Sequence, residues 1–175
     1  MGQRLGSLIS AVGGLLFVLL NAGALPDPLG PAVALVGVAL FLAAVWYSVV
    51  RTRSWPRGPV PPPRSMRVYW ACVAAEVVAI PVGALVLREV VHRPVLTPVW
   101  VVFVVGVHFL PFASAFGVPL FGALGLSMMV VAVVGAVVAW NVGAVGAAAA
   151  GVAAGALLLA FAVIGSVWER SRLGL

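Results

Sequence analysis

The sequence predicts an all-α integral membrane protein, a bundle of six transmembrane helices with the N-terminus and the C-terminus both cytoplasmic. Three observations carry that reading. Of the 175 residues, 64% are apolar and 8% are charged, where soluble domains run at roughly 45–50% and about 25%. So few charges could not clothe a soluble fold of this size. The charge-free stretches have the length of membrane spans, each needing about 20 apolar residues. The arginines, finally, are strongly one-sided. The Ala/Leu/Val/Gly composition lacks the alternation of an outer-membrane barrel, so helices are what remains to satisfy the backbone in lipid.

The elements follow in order within a single transmembrane domain, residues 1–175. Helix 1 is expected at Gly6–Leu25, behind Arg4. With Ala22-Gly23-Ala24 at its end it has some look of a secretory signal. It is longer than a signal core, however, and further spans follow at once, so retention is expected. Gly6 departs from the myristoylation pattern. A tight turn at Pro26-Asp27-Pro28 leads to helix 2, Gly30–Val50. The loop Arg51–Arg67 is rich in proline (Pro56, Pro59, Pro61, Pro62, Pro63), which favours extended polyproline II. It reads as a stiff connector. A docking peptide or a basic strip on anionic headgroups is the alternative, but topology already explains its arginines.

Helix 3, Val68–Leu87, is interrupted only by Glu76. Glu89 with Arg93, and Arg88 with His92, stand four apart and suggest that this helix continues past the membrane with a surface ion pair. From Pro94 to Trp168, 75 residues, there is no Asp, Glu, Lys or Arg, enough for three spans: Pro98–Phe116, Val118–Trp140 and Val142–Val167. On helix 6, Gly143, Ala147, Gly151 and Gly155 form a small-residue stripe that lets another backbone approach, most simply one of the same chain.

Orientation comes from counting arginines, since lysine is absent. Arg4, Arg51, Arg53, Arg57, Arg64, Arg67, Arg170 and Arg172 fall on one side, Arg88 and Arg93 on the other, which places both termini inside. Trp46, Tyr47, Tyr69, Trp70 and Trp168 fit an inner aromatic belt, Trp100 and Trp140 an outer one. The expected localisation is the cell membrane as a multi-pass protein. An all-arginine basic set suits a high-GC genome and hence a bacterial inner membrane.

Several chemistries are excluded. The single cysteine, Cys72, forbids an internal disulfide, a Cys-x-x-Cys site and the paired-thiol chemistry of quinone-linked oxidoreductases. No lysine means no Walker A motif, and neither His-Glu-x-x-His nor Gly-x-Ser-x-Gly occurs. The basic residues mark topology, so nucleic acid is excluded as a partner. The expected partners are the lipid bilayer and a small-molecule or lipid ligand, with homo-oligomerisation left open.

Polar groups inside the spans are costly and normally functional. Glu76 is the outlier among the acids, since Asp27, Glu89 and Glu169 fall at ends and turns. At 1.5 Å per residue, Glu76 on helix 3 and His108 on helix 4 reach similar depth, and Ser127 on helix 5 a similar level. These three define the candidate midplane proton or ligand site. Burial and mutual contact act oppositely on a carboxyl and an imidazole, so a Glu76–His108 pair suits proton relay or general acid–base work. Pro81 and Pro111 free the carbonyls of Val77 and Val107 next to the ionisable residues, and kinked polar helices mark sites in many transporters. A structural contact that only fixes helix packing is the plain alternative, and Ser127 reads more simply as a small interface residue. No catalytic residues are assigned: a Ser–His–Glu triad would need nucleophile geometry and an oxyanion hole. A metal held by Cys72, Glu76 and His108 lacks a spacing signature, and haem would have only His108, so no metal or cofactor is expected.

The stretch Val105-Gly106-Val107-His108-Phe109-Leu110-Pro111-Phe112-Ala113, with Tyr69-Trp70 and Glu76, resembles an uncharacterised family of small multi-pass bacterial membrane proteins over helices 3 to 5. That resemblance implies no activity. Two functions are expected to compete: a small proton-coupled carrier with its site among helices 3, 4 and 5, and an intramembrane enzyme acting on a lipid or isoprenoid with Glu76 as general acid. The second resembles in outline the small membrane-embedded terpene cyclases, without a diagnostic motif. A non-catalytic accessory subunit is a third.

Overall fold

Proline and glycine punctuate the chain and mark many of the helix ends. In a computed structural model that describes residues 2–51 and 62–173, six α-helices follow one another among the described residues: α1 Gly2–Ala22, α2 Leu29–Val45, α3 Pro63–Glu89, α4 Thr97–Phe116, α5 Pro119–Val142 and α6 Ala144–Leu173. Pro63, Pro98 and Pro119 each occupy the first turn of a helix, where a missing N–H costs nothing. Gly117 closes α4 in the left-handed region, at φ +64°, a conformation open to glycine at no steric cost.

Five of these segments are long and apolar enough to cross a membrane: Leu29–Ser48, Pro63–Glu89, Pro94–Phe116, Pro119–Val142 and Ala144–Gly165. The apolar part of α1, Gly6–Ala22, is shorter. Among the described residues the chain is all-helical.

Several boundaries differ from those expected: α1 runs Gly2–Ala22 and α6 reaches Leu173, and the ends of the second and third helices shift too. Helix α3 starts at Pro63, so Arg64 and Arg67 belong to its first turns rather than to the loop. The polyproline reading of that loop falls largely on residues 52–61, outside the described residues. The last turn of helix 2 loosens into a π-helix over Trp46–Arg51. At the other end of α3, the helix stops at Glu89 and His92 turns left-handed, at φ +55°. The expected Glu89–Arg93 pair does not form, because four-residue spacing brings side chains together only while the helix lasts. Glu89 pairs instead with its neighbour Arg88, at 3.0 Å and well exposed, and the Arg93 guanidinium lies 4.7 Å from the centre of the Trp140 ring.

Helix α6 forms the centre. Its small-residue stripe is buried within the chain from Ala147 to Gly155, whereas Gly143, expected as its first member, lies before the helix and ends α5 at φ +79°. A β-carbon on Gly14 would come 2.8 Å from the Gly155 carbonyl oxygen, and one on Gly155 2.6 Å from that of Gly14. So α1 and α6 meet backbone to backbone, with dispersion replacing the hydrophobic drive that lipid does not supply. The Ser10 hydroxyl adds a hydrogen bond to the Leu158 carbonyl, 2.9 Å. On another side of α6, Gly135 of α5 receives Ala150. Helix α5 then meets α4 through Gly125 and Gly106, whose carbonyls and α-carbons are again in close approach.

The bundle is therefore a layered row. Helix α2 flanks α1 and α6 at one end, and α3 packs on α4 at the other, with no more than marginal contact to any other helix among the described elements. An apolar groove of about 240 Å³ between α1, α2 and α6 is lined by Val18, Val33, Gly37, Leu40, Val152 and Leu159.

Candidate functional site

The α3–α4 seam is where the polar residues meet. Along α3, Ser65, Tyr69, Cys72, Glu76, Ile80, Gly83 and Leu87 are wholly or partly buried, while Trp70, Val77, Val78, Val82, Leu85 and Val86 are exposed. The packed positions recur at spacings of three and four, which places them on one face of the helix. Glu76 lies at the middle of that face. It is also the midpoint of Pro63–Glu89, thirteen residues from either end, so helix geometry alone sets it about 20 Å from each.

Four contacts hold the two antiparallel helices in register. The Ser65 hydroxyl donates to the Ala115 carbonyl. The Tyr69 ring stacks on Phe112 at 5.7 Å between centroids. His108 Nδ1 lies 2.6 Å from Glu76 Oε2. At the far end Trp100 Nε1 donates 3.0 Å to the Ala79 carbonyl, its indole filling the space a side chain at Gly83 would need.

The Glu76–His108 contact is short but not aligned as a hydrogen bond: Nδ1 is buried and has no partner along its own in-plane direction. The side chains keep 24% and 11% of their exposure. A proton shared by such a pair can sit on the carboxyl, beside a neutral imidazole, or on the imidazole, beside a carboxylate.

Rings surround the histidine. Phe112 packs edge-on at 4.5 Å and Phe109 at 5.4 Å from the His108 centroid. Phe116 and, from α5, Phe121 extend the cluster. The sequence carries a signal for this cluster: Phe109, Phe112 and Phe116 stand at i, i+3 and i+7, one face of α4. The Trp100–Gly83 interlock and the Ser65 bond had no comparable signal.

Of the three residues expected at the midplane site, the structure brings Glu76 and His108 together and leaves Ser127 apart. Helix α5 faces α4 with Gly125 and Phe121. Ser127, two residues past Gly125, points about 200° around the helix from it, at 100° per residue. Similar depth brought Ser127 level with the pair, but its azimuth turns it away. Cys72, one turn below Glu76, shares the seam, yet no group of three His, Cys, Asp or Glu residues suited to a metal occurs among the described residues.

No match is found among protein-family models, curated proteins or solved structures. The resemblance over helices 3 to 5 thus gains no support.

Proposed function

We propose that the chain is a six-span membrane protein of the bacterial inner membrane, with both termini cytoplasmic, that works as a small proton-coupled carrier. Glu76 and His108 are its midplane proton and ligand site. The eight-against-two arginine distribution supports the topology, with Gly6–Ala22 of α1, packed on α6, as the sixth span. The single observation that carries the site is the 2.6 Å contact between an acid and an imidazole at the middle of α3. Intramembrane ionisable pairs of this kind mark proton and substrate paths.

Infrared difference spectroscopy of the protein in nanodiscs, with isotope-labelled histidine, tests the pair. The carboxyl and imidazole bands are expected to change together when the proton on the pair is exchanged or moved. Both changes vanish in Glu76→Gln. Bands that titrate independently overturn the shared-proton reading.

The aromatic surround of His108 favours a second reading, an intramembrane enzyme on a lipid or isoprenoid with Glu76 as general acid. Incubation with total membrane lipid separates the two. Chemical conversion that stops in Glu76→Gln replaces the carrier with the enzyme.

A further inference from the structure

Helix α3 touches the rest of the bundle along one seam. Its outer face, Trp70 at 63% exposure, Val77 at 66%, Val78 at 61% and Val82 at 53%, is open. The pair sits at the middle of that seam, at the bundle's perimeter, and the Glu76 side chain retains 24% of its exposure. At mid-depth the medium outside a perimeter helix is hydrocarbon, since a bilayer core is about 30 Å thick.

From this placement we infer that the ligand of the Glu76–His108 pair reaches it sideways from the bilayer. It is a membrane-dissolved amphiphile with a neutral hydroxyl head on an apolar body. The inference rests on the reading of the pair as a ligand site and adds the class of ligand and its route. A hydroxyl both donates and accepts, as a carboxyl–imidazole pair holding one proton requires. A charged head is disfavoured at this depth, which selects a neutral one. The apolar body finds a surface on α3 itself, where the exposed Val77 follows Glu76 directly.

Carbodiimides of different solubility test the route on the wild-type protein in nanodiscs. The Glu76 carboxyl O–H adds across one C=N bond: its oxygen bonds to the central carbon and its proton passes to nitrogen. The O-acylisourea then rearranges to a stable N-acylurea that carries the whole reagent mass. Lipid-soluble dicyclohexylcarbodiimide is expected to label Glu76, read by peptide mass mapping. A water-soluble carbodiimide should label the exposed Glu89 and spare Glu76. Oleyl alcohol in the bilayer is expected to slow the Glu76 reaction about tenfold, the effect of one good hydrogen bond to a charged or shared-proton group, while glycerol does not.

Labelling of Glu76 by the water-soluble reagent at an equal or greater rate overturns the route, as does its escape from both reagents. A rate indifferent to oleyl alcohol overturns the ligand class. Each of these can occur while the infrared bands still titrate together, so the inference fails separately from the proton-pair reading.

Discussion

Gly83 of α3 and the Trp100 indole of α4 interlock: the ring occupies the volume that a β-carbon at position 83 would take, and its Nε1 donates to the carbonyl of Ala79 one turn earlier. Gly83→Ala must therefore push a large, hydrogen-bonded ring aside. Overpacking of this kind costs about 1–3 kcal/mol. Trp100→Phe keeps a ring and loses only the bond, worth about 0.6 kcal/mol on average between membrane helices. Apparent melting temperatures in one detergent should rank wild type above Trp100→Phe and Trp100→Phe above Gly83→Ala. An unchanged melting temperature in Gly83→Ala would show that the seam is looser than the interlock requires.

Ser65 anchors the opposite end of the seam. It is 2% exposed, and its hydroxyl reaches the Ala115 carbonyl fifty residues away in sequence. Ser65→Ala removes the bond and leaves the carbonyl with less than its full complement, a loss of about 1 kcal/mol. Because α3 has few other holds, hydrogen exchange of the amides in the first turns of α3 is the sensitive readout. Faster exchange is expected there, with α1 and α6 unaffected.

The all-helical class, the five long apolar helices and the contact of Glu76 with His108 were legible in the sequence because each depends on one-dimensional quantities: composition, charge spacing and rise per residue. What was not legible depends on azimuth. Ser127 matched the pair in depth, yet Gly125 faces α4 and turns Ser127 away. The end of α3 was misread for a related reason. Spacing of four between Glu89 and Arg93 means contact only inside a helix, and the left-handed backbone at His92 ends it first. Arg93 then finds the Trp140 ring on α5, a partner 47 positions away that no local pattern announces. Gly14 and Gly155, by contrast, are nearly as far apart as the chain allows. The stripe on helix 6 announced a close backbone approach without naming which helix would make it.

That approach is testable from both sides. A β-carbon on either Gly14 or Gly155 meets the other's carbonyl oxygen, so Gly14→Ala and Gly155→Ala each wedge α1 from α6. Each is expected to cost about 1–3 kcal/mol. Once one wedge has parted the helices the second costs less, so the double variant should lose less than the sum of the singles. Strict additivity in unfolding measurements would mean that the two glycines do not share one contact.

Glu76 and His108 call for the same cycle with the opposite purpose. His108→Phe fits the ring cluster of Phe109, Phe112 and Phe121, but it leaves the carboxyl buried without its partner. Leaving one member of a buried polar pair unsatisfied costs about 1–3 kcal/mol, more than removing both. The double variant His108→Phe with Glu76→Leu, which removes both polar members, should therefore be at least as stable as His108→Phe alone, while Glu76→Gln alone loses less than His108→Phe. Measured coupling between membrane-embedded polar residues averages about 0.6 kcal/mol and reaches about 1.7, and a pair at 2.6 Å belongs toward the upper end. A coupling of zero, with both single variants as stable as wild type, would sever the pair from the fold and leave its 2.6 Å approach without energetic content.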